Sequence, residues 1–265
     1  MHVWSKTVLM SSLALGAAWL LGCEEKPKNL APKAEAPLAP AKPATSMAMS
    51  YAVDTSSSAV RFLMEAPIEK IYGDVPGGAS GELFVDLMDL SKTTGLIKVD
   101  LSKLELFQAK LDEKTKEFGE KSKNDLQNKH AQAWLEISDD TPAEVRAKNA
   151  IAELKITAVG KVSAPDVTKL SGAERKVTAE VTGQLVLHGR EVSKTVPVEV
   201  SFLFNGDKPS QIRVKTTKPM TVGLEEHDVR PREAFGKLAQ KTLAALGNKV
   251  AAEVPIELDL VAKAK

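Results

Sequence analysis

The chain carries a single cysteine in 265 residues, so no intrachain disulfide can form and a cysteine-rich zinc site is excluded. It lacks an excess of either charge: 36 Lys and Arg stand against 35 Asp and Glu, a formal +1. A nucleic-acid binder usually carries a basic surplus to neutralise phosphates, so no nucleic-acid partner is expected. It has no apolar run of the roughly 20 residues that a spanning helix needs. The four histidines make no His-x-x-x-His or His-Glu-x-x-His pair. His130, His188 and His227 stand alone, His188 in a predicted hairpin turn and His227 in a predicted solvated loop beside Glu225, Glu226 and Asp228. Gly77-Gly78-Ala79-Ser80-Gly81 is not a nucleophile elbow and reads as a turn. No phosphate-cradling loop and no internal repeat occur, and the paired carboxylates Glu24-Glu25 and Glu225-Glu226 fall in loops. The expectation is a protein with no catalytic residue, no metal site and no cofactor.

What is present begins at the N-terminus. Lys6 precedes an apolar stretch from Val8 to Leu21, interrupted by Ser11, Ser12 and Gly16. That length suits the apolar region of a secretory signal. It ends in Leu20-Leu21-Gly22-Cys23, which resembles a bacterial lipobox. Residues 1–22 are read as a signal peptide and Cys23 as the lipidated first residue of the mature chain. Each buried acyl CH₂ is worth about 0.8 kcal/mol, so two or more chains tether stably without spanning. Glu24 after the cysteine favours the outer membrane under the sorting rule of enteric-type lipoproteins, with the domain in the periplasm.

Residues 23–50 then read as a tether. Pro27, Pro32, Pro37, Pro40 and Pro43 stand among Ala and Lys, without an aromatic residue or an apolar period. Extended, the strip reaches up to roughly 80 Å. Its predicted role is to hold a domain off the membrane, and its removal is expected to leave that domain's stability unchanged.

The domain, residues 51–265, has a period of two. Eight segments carry one apolar and one polar face: Val60, Phe62 and Met64; Leu83, Val85 and Leu87; Ile97, Val99 and Leu101; Leu154 and Ile156; Val177 to Leu187; Val196 to Phe204; Ile212 and Val214; and Val254 to Leu260. Such alternation marks half-buried antiparallel strands. The fold class is therefore all-β, and eight strands can close into a barrel, with a two-sheet sandwich as the rival. Leu187-His188-Gly189-Arg190-Glu191 and Asn205-Gly206-Asp207 read as hairpin turns. Two insertions read as helical: residues 112–133, broken near Gly119 and Asn124, and residues 231–246, with an apolar stripe from Phe235 to Leu246.

Four stretches carry a resemblance. Tyr51-Ala52-Val53-Asp54 with the following alternation, the Gly81–Leu106 hairpin, the Val181–Phe202 hairpin and the closing Val250–Ala262 strand resemble the YceI-like family of polyprenoid-binding, lipocalin-like periplasmic proteins. The likeness spans residues 51–262, and Asp125 and His130 stand at a spacing the family does not use. It implies an antiparallel, lipocalin-like β-barrel of about eight strands with one or two inserted helices. It also implies a hydrophobic small-molecule partner, an isoprenoid or other lipid, held inside. The side chains expected to face that ligand are Val60, Phe62, Met64, Leu83, Val85, Leu87, Val99, Leu185, Leu187, Val198, Val200, Phe202, Phe204, Val214, Ile256 and Leu258. The partners are then this ligand, a membrane through Cys23, and a second copy as a possible oligomer. The alternative is a filled barrel that displays its loops to an envelope partner.

Overall fold

A computed structural model of the chain describes residues 29–34, 36–230 and 252–265. Cys23, the signal segment and the predicted helix at 231–246 lie outside them. The strands are β1 (Met49–Val53), β2 (Ala59–Ala66), β3 (Glu69–Asp74), β4 (Ala79–Val85), β5 (Thr94–Asp100), β6 (Glu105–Lys110), β7 (Ser122–Lys123), β8 (Ile151–Gly160), β9 (Glu174–Leu187), β10 (Arg190–Asn205), β11 (Lys208–Thr216), β12 (Met220–Gly223) and β13 (Glu253–Ala264). The helices are α1 (Asp125–Trp134) and α2 (Ala143–Asn149).

Eight strands close an antiparallel barrel in the order β1-β4-β5-β8-β9-β10-β11-β13, and β13 pairs back onto β1. The expected barrel is therefore correct, but its membership differs by one strand. β1 closes it, whereas β2, with its clean Val60–Phe62–Met64 alternation, starts a side branch β2-β3-β6-β7 that leaves β13 as a flap. β13 is long enough to serve both. Its C-terminal half pairs with β11 and β1, and its N-terminal half with β12 and β2. Two hydroxyls fill the seams where its neighbours change. Thr216 Oγ1 bonds the N–H and carbonyl of Leu258, and Ser58 Oγ those of Val261.

The barrel has a closed end and a flap end. At the closed end the fully buried Val167 packs beneath Arg175, whose guanidinium stacks 3.5 Å from the Phe204 ring centroid and donates to the Val167 carbonyl at 3.1 Å. Tyr51, fully buried, donates to the Pro209 carbonyl at 3.2 Å, and burial pushes its phenol up to about 12. At the flap end lies the β9–β10 turn, where His188 (φ 49°) and Gly189 (φ 67°) are both left-handed, as a two-residue hairpin requires. On the flap, the Phe62 ring lies where a Cβ at Gly73 would sit, 2.1 Å away, so only glycine fits there.

The helical insertion is shorter than predicted. α1 covers only Asp125–Trp134, capped by Asn124, whose side chain accepts from Leu126 and Gln127 N–H. Before it, Asp112 accepts from Lys114 and Thr115 N–H and Lys116 takes φ 60°. Such local side-chain bonds compete with a helix.

The largest departure concerns the tether. Residues 29–34 and 36–48 do not extend away from the domain but run along the outer wall from the flap end to the closed end. Ala31 N–H donates to the Glu226 carbonyl and Ala34 N–H to that of Gly189, while Glu191 N–H donates to the Pro32 carbonyl, all at 2.9 Å. Leu38 N–H donates to Glu153 at 2.7 Å, and Thr45 Oγ1 to Asp86 at 2.7 Å. Ala34 is buried, and Glu153 is only 5% exposed beneath the strap, paired with Lys98 at 2.8 Å. These are mostly backbone contacts, invisible to apolar periodicity. Each such bond is worth about 1 kcal/mol net, offset by the entropy of ordering the segment. Deleting residues 24–46 should therefore cost about 1–2 kcal/mol and lower Tm by about 3–6 °C in calorimetry. An unchanged Tm would mean that the strap lies on the barrel without stabilising it.

Candidate ligand-binding cavity

The barrel encloses a cavity of about 80 Å³. Its wall is built by period-two strands whose inner faces are aliphatic. β10 supplies Val196, Val198, Val200 and Phe202, β9 supplies Val177, Ala179 and Val181, and β4 supplies Leu83 and Val85. Val200 and Val214 point inward yet are not fully buried, because the surface they leave uncovered faces the cavity. Among the described residues, Thr93 is the one lining side chain with a hydroxyl, and no lining residue titrates. A cavity of this kind offers burial and no acid, base or nucleophile.

The sequence-predicted residues divide into groups. Leu83, Val85, Val198, Val200, Phe202, Val214 and Leu258 line the cavity. Val60, Leu87 and Phe204 are buried in the same core around it, and Val99 packs against that core. Leu185 is buried in a second cluster with Val196 and Met220, against which Leu187 and Ile256 pack. Phe62 and Met64 are half-buried on the flap. Three lining residues escape the alternation. Leu90 and Thr93 come from the loop after β4, and Val159 faces inward because β8 shifts register between Ile156 and Ala158. A bulge re-aims the following side chains by one position.

Polar groups gather outside the cavity, at the flap end. His188, predicted as a turn residue, is buried there, its Nδ1 3.0 Å from the His227 carbonyl and its Nε2 2.8 Å from Glu136. His227 is not solvated as expected. It is fully buried, with Nδ1 3.2 Å from the Leu187 carbonyl and Nε2 3.6 Å from Glu226. Burial pushes Glu226 up, but Lys194 and the Gly223 N–H outweigh it and hold the carboxyl below its usual range. Among the described residues no group of three His, Cys, Asp or Glu is placed to hold a metal ion.

Burial holds His227 below the usual histidine range, so the unfolded chain takes up the proton first. The contribution is fully present above about pH 6.5 and is lost as pH falls below it, at no more than about 1.4 kcal/mol per pH unit. Melting scans should show Tm falling from pH 7 to 5.5, with a shallower fall in His227→Gln. An equal slope in both would assign the dependence to other groups.

The YceI-like domain family matches residues 51–262, most of the chain. The chain belongs to the YceI-like family. No curated protein matches it. Among solved structures, a polyisoprenoid-binding domain from Saccharophagus degradans implicated in plant cell wall breakdown aligns at a TM-score of 0.52 and 14% identity. The alignment covers 82% of this chain and 99% of that one. BcnA from Burkholderia cenocepacia aligns at a TM-score of 0.47 and 17% identity, covering 79% and 98%. In this YceI-like barrel Asp125 and His130 both lie on α1, and neither lines the cavity.

Proposed function

We propose that this YceI-like chain is a non-catalytic, lipid-anchored envelope protein that binds a slender apolar ligand, an isoprenoid or other lipid chain, inside its barrel. The observation that carries the reading is the cavity wall, aliphatic among the described residues except for Thr93 and Phe202. Such a wall favours a ligand held by burial, at roughly 25 cal/mol per Å² of apolar surface. The fold relative described as polyisoprenoid-binding supports the same ligand class. The lipobox ending at Cys23 supports the anchor, and the outer wall supports a barrel standing in water. It carries ion pairs such as Arg213–Asp259 at 2.6 Å and Lys161–Glu180 at 2.8 Å, where a membrane barrel has an apolar band.

The volume supports a second reading. Ligand pockets commonly measure about 300–1,000 Å³, and this cavity is about 80 Å³. A filled barrel that binds an envelope partner through its surface would need no more. The two readings part on titration of the purified chain with a polyprenol. Saturable binding that is lost in Val200→Trp is expected, and absence of binding would favour the filled barrel. The anchor is tested separately: Cys23→Ser should leave the membrane fraction or remain unprocessed. A variant that fractionates as before, at mature length, would remove the anchor from the account.

A further inference from the structure

We propose that the flap end of the barrel is a membrane-resting face, on which Ile68, Phe118 and Leu126 meet the bilayer. The inference rests on the lipid anchor at Cys23 proposed above. Among the described residues, Ala31 is the first that bonds the barrel, through Glu226 and the Arg190 guanidinium, which donates to its carbonyl at 2.9 Å. Only residues 24–30 separate it from Cys23. Fully extended, that leash reaches about 28 Å.

The barrel is taller than the leash. β10 has 16 residues, a path of about 50 Å that a strand tilt of about 40° reduces to roughly 40 Å of height. Because the strap is docked from the flap end downwards, the closed end cannot rest on the membrane unless the strap's contacts break. Exposure alone would not decide between the ends, since the closed end shows Met47 (59% exposed) and Met88 (51%). The leash chooses the flap end.

That end is built to present apolar groups. β2 runs past the first residue of β13, so the β2–β3 turn projects beyond the barrel. Ile68, 56% exposed, sits at this tip, and its carbonyl accepts from Leu111 N–H, while Leu111 bridges to Phe118. Lys70 Nζ lies 4.8 Å from the Phe118 ring centroid, an ammonium on an aromatic ring as suits a headgroup boundary. Leu126, 62% exposed, stands in the first turn of α1, which Asn128 fixes to the Leu106 backbone.

The test uses the full chain, processed and reconstituted in phosphatidylcholine–phosphatidylglycerol vesicles. Nitroxide labels are placed at Ile68→Cys and, at the other end, Met88→Cys. Collision with oxygen relative to a water-soluble nickel chelate reports depth. The ratio should be several-fold higher at position 68 than at position 88. A higher ratio at 88, equal ratios, or shielding of position 68 from both reagents, as by a second copy, would overturn the orientation. The parent chain separates the two failures, because a Cys23 sulfur that carries lipid takes no label. Labelling of the parent overturns the anchor and the orientation with it, whereas an unlabelled parent with position 68 in water overturns the orientation alone.

Discussion

Phe202→Ala should lower the melting midpoint by about 10 °C, while Leu203→Ala, one residue along the same strand, should move it by no more than about a degree or two. Phe202 is 1% exposed and packs into the core around the cavity, whereas Leu203 is 45% exposed on the outer wall. Deleting a buried phenyl ring costs about 3–5 kcal/mol, the more so where a neighbouring void prevents collapse. In a domain of this size each kcal/mol shifts Tm by about 2–4 °C. Surface truncations usually stay within about 0.5 kcal/mol. Equal losses from the two variants would show that the strand's inward face has been misassigned.

Val200→Trp should fold and lose its ligand. Val200 lies on the cavity wall between its in-register neighbours Val214 and Val177, and part of its surface already faces open space. An indole placed there first fills the cavity, so the cost should stay at or below the roughly 1–3 kcal/mol of overpacking a filled core. Calorimetry should show a modest fall in Tm, and polyprenol binding should disappear. Glu199→Trp places the same ring on the outer wall, where Glu199 faces Lys176 at 3.7 Å, and should change neither quantity. A fall of 10 °C or more in Val200→Trp, with no ligand bound by the parent, would place the barrel among filled ones.

Most of the barrel wall was legible because it obeys one rule. Val196, Val198, Val200 and Phe202 recur every second residue, and the structure turns all four inward. The rule fails where the backbone departs from it. Val159 follows a register shift that no side chain announces. β3 and β6 hide their strand character because Glu69 and Gln108 lie on the flap's apolar face, where they bond each other. Alternation also cannot tell which strand closes a barrel. β1 and β2 both have an apolar face, and the two part on one edge of β13 at the seam that Ser58 fills. The strap is the extreme case. Its hold on the barrel comes from the backbone groups of Ala31, Pro32, Ala34 and Leu38, and backbone groups are common to every sequence. The cavity's aliphatic character was therefore readable, whereas its size, set by how the side chains of eight strands meet, was not.

The most direct test of the cavity as a binding site is mass spectrometry of the mature chain purified from its own membranes, as the intact protein and as an organic-solvent extract. An apolar chain-like molecule near one per protein, present in Glu199→Trp and missing from Val200→Trp, is the predicted result. A parent protein whose intact mass is that of the lipidated chain alone, with an extract no different from that of Val200→Trp, would contradict it.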